Sequence, residues 1–196
     1  MTIFYLVRHA HSEWTPDENW SLSAQGCKDA DRVTNTLCVY PISVIYSSPA
    51  PRAYQTISPL AERLDLSIHI DLNLQERRLG DEVSEDFFKA VEVTWRNPSF
   101  AYPGGESNTV AQKRGTALVQ RLVEKHPEQH IVLSTHGTLM ALVLQSFNLS
   151  VDFMFWKSLT MPDVYKLILS QPGKGVMERL WDEKCKILTT KAWNLE

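Results

Sequence analysis

The sequence predicts an α/β sandwich with a mostly parallel sheet, and two patterns in it support this fold class. Short strand patterns alternate with helical patterns along most of the chain. The strand patterns near the start and in the second half are continuous apolar runs, which are typical of strands covered by helices on both faces. A length of 196 residues, with 43% hydrophobic and 22% charged residues, is ordinary for a globular protein and predicts a single domain, 1–196.

The first half of the chain contains three predicted strands and two predicted helices. Residues 2–8 form an apolar run rich in aromatic and β-branched side chains, and residues 42–48 and 67–72 are the next two strands. Apolar residues recur at helical spacing over 27–37 and again over 53–64. The predicted order is therefore strand, helix, strand, helix, strand.

The second half continues the alternation and ends in a predicted strand pair. Helices are predicted over 84–95 and 108–125. A buried strand in 130–137 precedes a helix over 138–147 that is apolar nearly all round. Two strands within 164–181, separated by a turn, close the fold.

Composition and charge exclude several classes of function. A net charge of −3 without a basic run gives little attraction to a phosphate backbone, so nucleic acid is not an expected partner. No apolar run is long enough to span a bilayer, so no membrane partner is expected either. The three cysteines, Cys27, Cys38 and Cys185, are an odd number without metal-ligand spacing, which predicts small buried thiols in a cytoplasmic protein.

Polar residues follow four of the predicted strands, at the point where each strand ends. These groups are Arg8-His9, residues 47–52, residues 75–78 and residues 135–137. Ligands of open α/β sheets bind beyond the carboxyl ends of the strands. We therefore expect these four groups to converge on one site.

The residue types in these groups suit a phosphate ester. Arg8 and Arg52 supply forked cationic donors for a dianion, and one of His9 and His136 can act as a nucleophile near neutral pH. Glu76 can protonate the leaving oxygen and then accept a proton from water. The first N–H groups of the helix after His136 are a further expected anion site.

The same stretches carry a resemblance to a known family, and they occur in that family's order. "LVRHAHSEW", "SSPAPRAYQT", "LQERRLGD", "PGGES" and "STHGTLM" resemble motifs of the histidine phosphatase superfamily, which has phosphoglycerate mutase and phosphatase branches. The resemblance implies a three-layer αβα sandwich with a mostly parallel central sheet, phosphoglycerate mutase-like. It implies that His9 is the phosphorylated nucleophile and Glu76 the proton donor, and that Arg8, Arg52 and His136 hold the phosphate.

The resemblance also bears on substrate binding. Ser12 matches a hydroxyl position near the phosphate, and with His11 and Gly137 it is assigned to substrate binding. His11 replaces a more usual acidic or amide residue, and Thr15 stands where many mutases carry asparagine. A small lid region is expected around 77–108.

Within the family, the sequence favours a phosphatase that acts on small phosphorylated metabolites. A cofactor-dependent phosphoglycerate mutase is the alternative, but it must keep water from its phosphohistidine, and the short segment between Glu76 and Pro103 leaves only a small lid. No cofactor is expected, and the oligomeric state stays open.

Two further alternatives come from other classes of protein. The pair His9-x-His11 could bind a metal, as in metal-dependent hydrolases, but the neighbouring Arg8 would repel the cation, so no metal is expected. A phosphate-binding module without turnover would need neither Glu76 nor His136.

Overall fold

A computed structural model describes residues 1–13, 20–81, 86–171 and 174–182. The predicted α/β class is confirmed, because these residues form one six-stranded sheet with helices on both of its faces. The strands are β1 Ile3–Arg8, β2 Ile42–Ser47, β3 Ile68–Ile70, β4 His130–Thr135, β5 Asp163–Gln171 and β6 Lys174–Arg179. The α-helices are α1 Ala24–Leu37, α2 Pro51–Leu64, α3 Phe87–Arg96, α4 Asn108–Lys125, α5 Gly137–Gln145 and α6 Phe153–Ser158.

The sheet is mostly parallel, as predicted. Its strand order is β3-β2-β4-β1-β5-β6. The strands β3, β2, β4 and β1 pair in parallel, and β5 and β6 add an antiparallel hairpin at one edge. The carboxyl ends of the four parallel strands therefore lie along the same edge of the sheet.

The side chains of β1 point alternately to the two faces of the sheet, and both faces are covered by helices. Phe4 and Leu6 pack into one core cluster with residues of α4 and α5. Tyr5 and Val7 face the opposite way, into a second cluster with residues of α1 and α2. Because successive side chains of a strand point to opposite faces, a strand that is apolar throughout belongs between two helical layers. This arrangement is the three-layer sandwich.

The helix α3 begins later than the predicted start at residue 84, and its apolar side is different. The Asp86 carboxylate accepts hydrogen bonds from the N–H groups of Phe88 and Lys89, so the helix begins at Phe87. The apolar pattern that predicts this helix includes Phe87 and Phe88. These two residues are nevertheless 57% and 53% exposed. The buried side of α3 instead contains Ala90, Val91 and Thr94.

The prediction that the cysteines are buried is wrong for Cys27, which is exposed, whereas Cys38 is half-buried and Cys185 lies outside the described residues. The buried stripe of α1 passes through Gly26, Ala30, Val33 and Leu37. A Cβ at Gly26 would lie only 2.0 Å from the carbonyl oxygen of His11, so the helix packs against the chain at this glycine and Cys27 points elsewhere.

One of the described helices was not predicted, and none of them can cross a membrane. The short helix α6 was not predicted, because six residues are too few to show a helical repeat. No described helix is both long and apolar enough to cross a membrane.

Candidate active site

Strand register brings two predicted site groups side by side. Arg8 and Thr135, the last residues of β1 and β4, are direct partners in the parallel pair, so His9 and His136 follow at the same level. The backbone N–H of His9 donates to the carbonyl of Thr135 at 3.0 Å, which continues the ladder one residue past the strand. The two imidazole rings lie edge to face with centroids 5.1 Å apart. The sheet therefore sets the separation of the two histidines.

Arg52, in the first turn of α2, joins these two imidazoles. Its Nε donates to His9 Nε2 at 3.2 Å, and its Nη2 lies 3.3 Å from His136 Nδ1. The guanidinium also lies over the Trp20 ring, 4.8 Å from the centroid. A cation in the first turn of a helix opposes the helix dipole, and the interaction with two neutral imidazoles and an indole face offsets that cost.

The hydrogen bonds of His9 define its tautomer. Its Nδ1 lies 2.8 Å from the Ala10 carbonyl oxygen, which only accepts, so Nδ1 carries the proton. Nε2 then carries no proton, and its lone pair accepts the hydrogen bond from Arg52 Nε. Ala10 itself is held by Thr56, whose Oγ1 accepts from the Ala10 N–H at 2.9 Å. A neutral imidazole with a fixed tautomer and an unprotonated Nε2 has the form that a nucleophile requires.

His9 stays neutral because its surroundings oppose a second proton. Its side chain is buried, and burial is the largest cause that lowers its pKa from 6.5 to about 3. His136, Arg52 and Arg8 lower it further, against the opposing effect of the Ala10 carbonyl. The His9 imidazole is therefore neutral near neutral pH.

His136 is also a buried, neutral imidazole. Burial, followed by Arg52, Arg114 and Arg8, lowers its pKa well below the usual value. Since Nδ1 accepts from Arg52, the ring proton is on Nε2, which donates to Ser48 Oγ at 2.9 Å. Ser48 follows β2 and was not among the predicted site residues; only its place at a strand end pointed to it.

Arg8 is held by backbone groups on one side and by a glycine on the other. Its Nη1 donates to the carbonyl oxygens of Leu159 and Thr160 at 2.9 and 3.2 Å. A Cβ at Gly137 would lie 3.0 Å from Arg8 Nε and 3.1 Å from Cζ. Arg8 Nε is buried and has no acceptor among the described residues. Gly137, predicted to bind substrate, thus makes room for the guanidinium.

Glu76 binds the start of α5. Its Oε1 accepts from the N–H groups of Arg77 and Leu139 at 2.8 and 2.9 Å, and Oε2 accepts from the N–H of Thr138 at 3.0 Å. This contact corrects the prediction that the first N–H groups of this helix serve a phosphate: two of them bind the Glu76 carboxylate. Oε2 accepts one of these hydrogen bonds and Oε1 accepts two.

The loop that carries Glu76 is anchored from α4 by Arg114, which the sequence did not single out. Its Nη1 and Nη2 donate to the carbonyls of Asn73 and Glu76 at 2.7 and 3.4 Å. Its guanidinium also binds both carboxylate oxygens of Glu106 at 2.7 and 2.8 Å. Glu106 belongs to the predicted turn "PGGES", and its N–H donates to the carbonyl of Arg78. This turn and Arg114 together fix the loop that carries Glu76.

A cavity of about 920 Å³ opens beside these groups. This volume is in the range that accommodates a small organic ligand. Its walls combine predicted catalytic residues with cationic and acidic residues of the loop after β3. The lining includes Trp20, Ser48, Arg52, Glu76, Arg77, Arg78, Asp81 and His136.

None of the three residues predicted to bind substrate is among the described residues that line this cavity, and of these only Gly137 lies against Arg8. His11 is exposed, and its Nδ1 lies 2.9 Å from the Oγ of Ser23, the cap of α1. Ser12 is half-buried and forms a β-bridge with Leu22. Neither is among the described residues that line the cavity. Thr15 lies outside the described residues.

The metal alternative finds no support in the geometry of the described residues. His9 Nδ1 and His11 Nδ1 bind different partners, Ala10 and Ser23. Among the residues that the structure covers, no group of three or more His, Cys, Asp or Glu side chains could hold a metal ion.

Comparison with known proteins agrees with the fold and the motifs. A family model of the histidine phosphatase superfamily (branch 1) matches residues 4–182. Phosphoserine phosphatase 1 of Hydrogenobacter thermophilus is 29% identical in an alignment that covers 92% of this chain and 92% of the relative. Glucosyl-3-phosphoglycerate phosphatase of Mycobacterium tuberculosis is 32% identical in an alignment that covers 59% of this chain and 58% of the relative.

A solved structure shares the fold. The crystal structure of phosphoserine phosphatase in complex with 3-phosphoglyceric acid from Entamoeba histolytica superposes with a TM-score of 0.76 at 20% identity. The match covers 93% of this chain and 98% of that structure.

The low pKa of His9 makes a prediction about stability at acid pH. Between pH 6.5 and about 3 the unfolded chain takes up a proton at this histidine and the folded chain does not, so its contribution to stability falls as the pH falls. In phosphate-free buffer, His9→Gln should remove this contribution. The free energy of unfolding of wild type should fall relative to the variant by about 1 kcal/mol per pH unit between pH 6 and 4.

Chemical denaturation at a series of pH values measures this difference. Above pH 7.5, His9 is neutral in both the folded and the unfolded wild-type protein. The stability curves of wild type and variant should therefore run parallel there. Curves that stay parallel down to pH 4 would show that His9 is not held neutral by the fold.

Proposed function

The chain belongs to the histidine phosphatase superfamily and is a phosphomonoesterase, and we propose that it works through a phosphohistidine on His9. One observation carries this proposal. His9 is buried and neutral, its Nδ1 is bound to the Ala10 carbonyl, and its unprotonated Nε2 accepts a hydrogen bond from the Arg52 guanidinium. A nucleophile beside cationic donors suits attack on a dianionic phosphate.

The phosphate is bound by Arg8, Arg52 and His136. The unpaired Nε of Arg8 supports this role, because buried donors are rarely left without an acceptor and a phosphate oxygen would supply one. Arg52 contacts the imidazoles of both histidines, so its guanidinium lies next to the nitrogen that attacks phosphorus. Together the two arginines offset the two negative charges of the ester.

The reaction has two steps. In the first, His9 Nε2 attacks phosphorus, the N–P bond forms, the P–O bond to the leaving group breaks, and the leaving oxygen takes the proton of the Glu76 carboxyl group. In the second, the Glu76 carboxylate takes a proton from water, the water oxygen attacks phosphorus, and the N–P bond breaks. His9 is then neutral again, and inorganic phosphate leaves.

The substrates are small phosphorylated metabolites. The cavity of about 920 Å³ beside His136 and Arg52 supports a leaving group of metabolite size. The names of the two relatives give phosphoserine and glucosyl-3-phosphoglycerate as substrates, and both compounds carry a carboxylate. Arg77 and Arg78 line the same cavity, so carboxylate-bearing phosphate esters are the first compounds to test.

The mutase alternative has less support, because both of these relatives are phosphatases by name.

We propose that the chain is one domain with a lid around 77–108, and the position of Arg78 and Asp81 on the cavity wall favours this lid. We also propose a cytoplasmic location, in keeping with free thiols at Cys27 and Cys38.

A phosphoenzyme on His9 can be trapped directly. After rapid quench with a ³²P-labelled phosphomonoester, wild type should carry label on His9 that is stable in base and lost in acid. His9→Ala should fold and lose essentially all activity and label. The matched control is His69→Ala, which removes an exposed histidine in β3 and should keep full activity. Label on serine or cysteine, or an active His9→Ala variant, would rule out the proposal.

The role of Glu76 is tested by the choice of leaving group. Glu76→Gln keeps the shape of the side chain but has no proton to donate. It should slow phosphoenzyme formation from an alkyl phosphate by about a hundredfold or more, since general acid catalysis typically contributes this much. p-Nitrophenyl phosphate should be far less affected, because its phenolate leaves without a proton.

Burst rates measured by stopped flow and rapid quench for the two substrates give the comparison. If both rates fall equally, Glu76 only holds the start of α5, and another acid of the cavity wall, such as Asp81, becomes the candidate donor.

A further inference from the structure

Arg8 depends on an irregular segment of the chain that the sequence motifs do not include. Its Nη1 donates to two successive carbonyl oxygens, those of Leu159 and Thr160, which lie between α6 and β5. These residues belong to no helix or strand, so no regular ladder fixes the direction of the two carbonyls. Something else must hold them if the guanidinium is to keep one orientation.

The buried carboxylate of Asp163 holds this segment. Asp163 is 0% exposed and is the first residue of β5, directly opposite Arg8 in the antiparallel pair with β1. Its Oδ2 accepts from the N–H of Thr160 at 2.9 Å, and its Oδ1 accepts from the N–H of Val164 at 3.0 Å. The carboxylate therefore ties the peptide next to the Arg8 contact to the start of a sheet strand.

Arg179, the last residue of β6, completes the arrangement from the edge of the sheet. Its Nε donates to Asp163 Oδ1 at 2.9 Å, and its Nη2 donates to Asp163 Oδ2 at 2.8 Å. Nη2 also lies 3.0 Å from Thr160 Oγ1. A two-point contact of this kind fixes the plane of the carboxylate as well as its position.

We propose that Asp163 and Arg179 are positioning residues that orient the Arg8 guanidinium toward the phosphate. Nη1 of Arg8 is used on the segment that they hold, which leaves Nε and Nη2 for the ester oxygens. Gly137 lies against Nε and Cζ of the same guanidinium, so Arg8 is confined between the segment and α5. This role rests on the proposed function, in which Arg8 binds the phosphate.

The charge of Asp163 acts in the same direction as its hydrogen bonds. Burial lowers the pKa of Arg8, and the negative charges of Glu76 and Asp163 oppose that effect. A mere packing role would need neither the charge nor the two-point contact, since an apolar pair of similar volume is often as stable in the interior of a protein. The antiparallel hairpin thus supplies part of the phosphate site without touching the substrate.

A double-mutant cycle with Arg8 separates positioning from simple stabilisation. Arg179→Met removes both nitrogens that bind Asp163, at a side chain that is 39% exposed. With Arg8 present, it should lower kcat/KM for p-nitrophenyl phosphate by about tenfold and weaken competitive inhibition by inorganic phosphate by a similar factor. In the Arg8→Ala background, the same change should lower kcat/KM by less than about twofold, because the group that it positions is gone.

Two further variants serve as a control and as a conservative replacement. Asp29→Asn alters a comparably buried carboxylate on α1 that is paired with Arg32, so it should lower Tm without changing kcat/KM or phosphate inhibition. Arg179→Lys keeps the charge but not the two-point contact, and it should recover part of the activity. It also replaces Arg179→Met in the cycle if that variant does not fold.

An equal fold loss in both Arg8 backgrounds, or a lower Tm with unchanged kinetics, would overturn the positioning role. The cycle reports only the coupling between Arg179 and Arg8. It can therefore fail while a trapped phosphohistidine upholds the proposed function, and it can succeed if the phosphohistidine is absent.

Discussion

The site depends on placing cations and imidazoles together in the interior without adding positive charge to the histidines. Arg52 lies within hydrogen-bond distance of both rings, and His9 and His136 are buried. If both imidazoles were protonated, four neighbouring cations would repel one another in a medium that screens charge poorly. Burial and the neighbouring arginines lower the pKa of both histidines, so Arg8 and Arg52 lie beside two neutral rings. In the proposed mechanism, this excess of cationic donors binds the phosphate dianion, and His9 needs no base to activate it.

The sheet brings residues that are distant in the sequence to one edge. Parallel pairing of β1, β4 and β2 brings three strand ends level, so the residue that follows each strand meets the others. Groups from outside the parallel strands then complete the site. Arg114 anchors the loop that carries Glu76, and the antiparallel hairpin holds the segment that binds Arg8. Arg8 and Arg52 lie within a strand and a helix, and His9 and Glu76, which follow strands, are hydrogen-bonded to β4 and α5. These contacts limit the freedom that binding a substrate must otherwise remove.

Much of this could be predicted from the sequence, because two signals were local. The strands were indicated by apolar residues at every second position or by continuous apolar runs. The site was indicated by polar residues directly after these strands. The remainder depended on contacts between distant segments. Nothing near Glu76 in the sequence indicates that its carboxylate binds the first N–H groups of α5, and nothing near His11 indicates its contact with Ser23. The exposure of Cys27 follows from the close approach of another backbone to the adjacent glycine, which the helical repeat alone does not reveal.

The ionisation state of His9 is the central claim, and nuclear magnetic resonance tests it most directly. Long-range ¹H–¹⁵N correlation spectra of the ligand-free protein, with His9→Gln used to assign the signals, report the charge and tautomer of each imidazole. The account predicts that His9 remains neutral from pH 8 to pH 5, with its proton on Nδ1, because its pKa is lowered to about 3. A His9 signal that titrates near pH 6.5, or one whose proton is on Nε2, would contradict it.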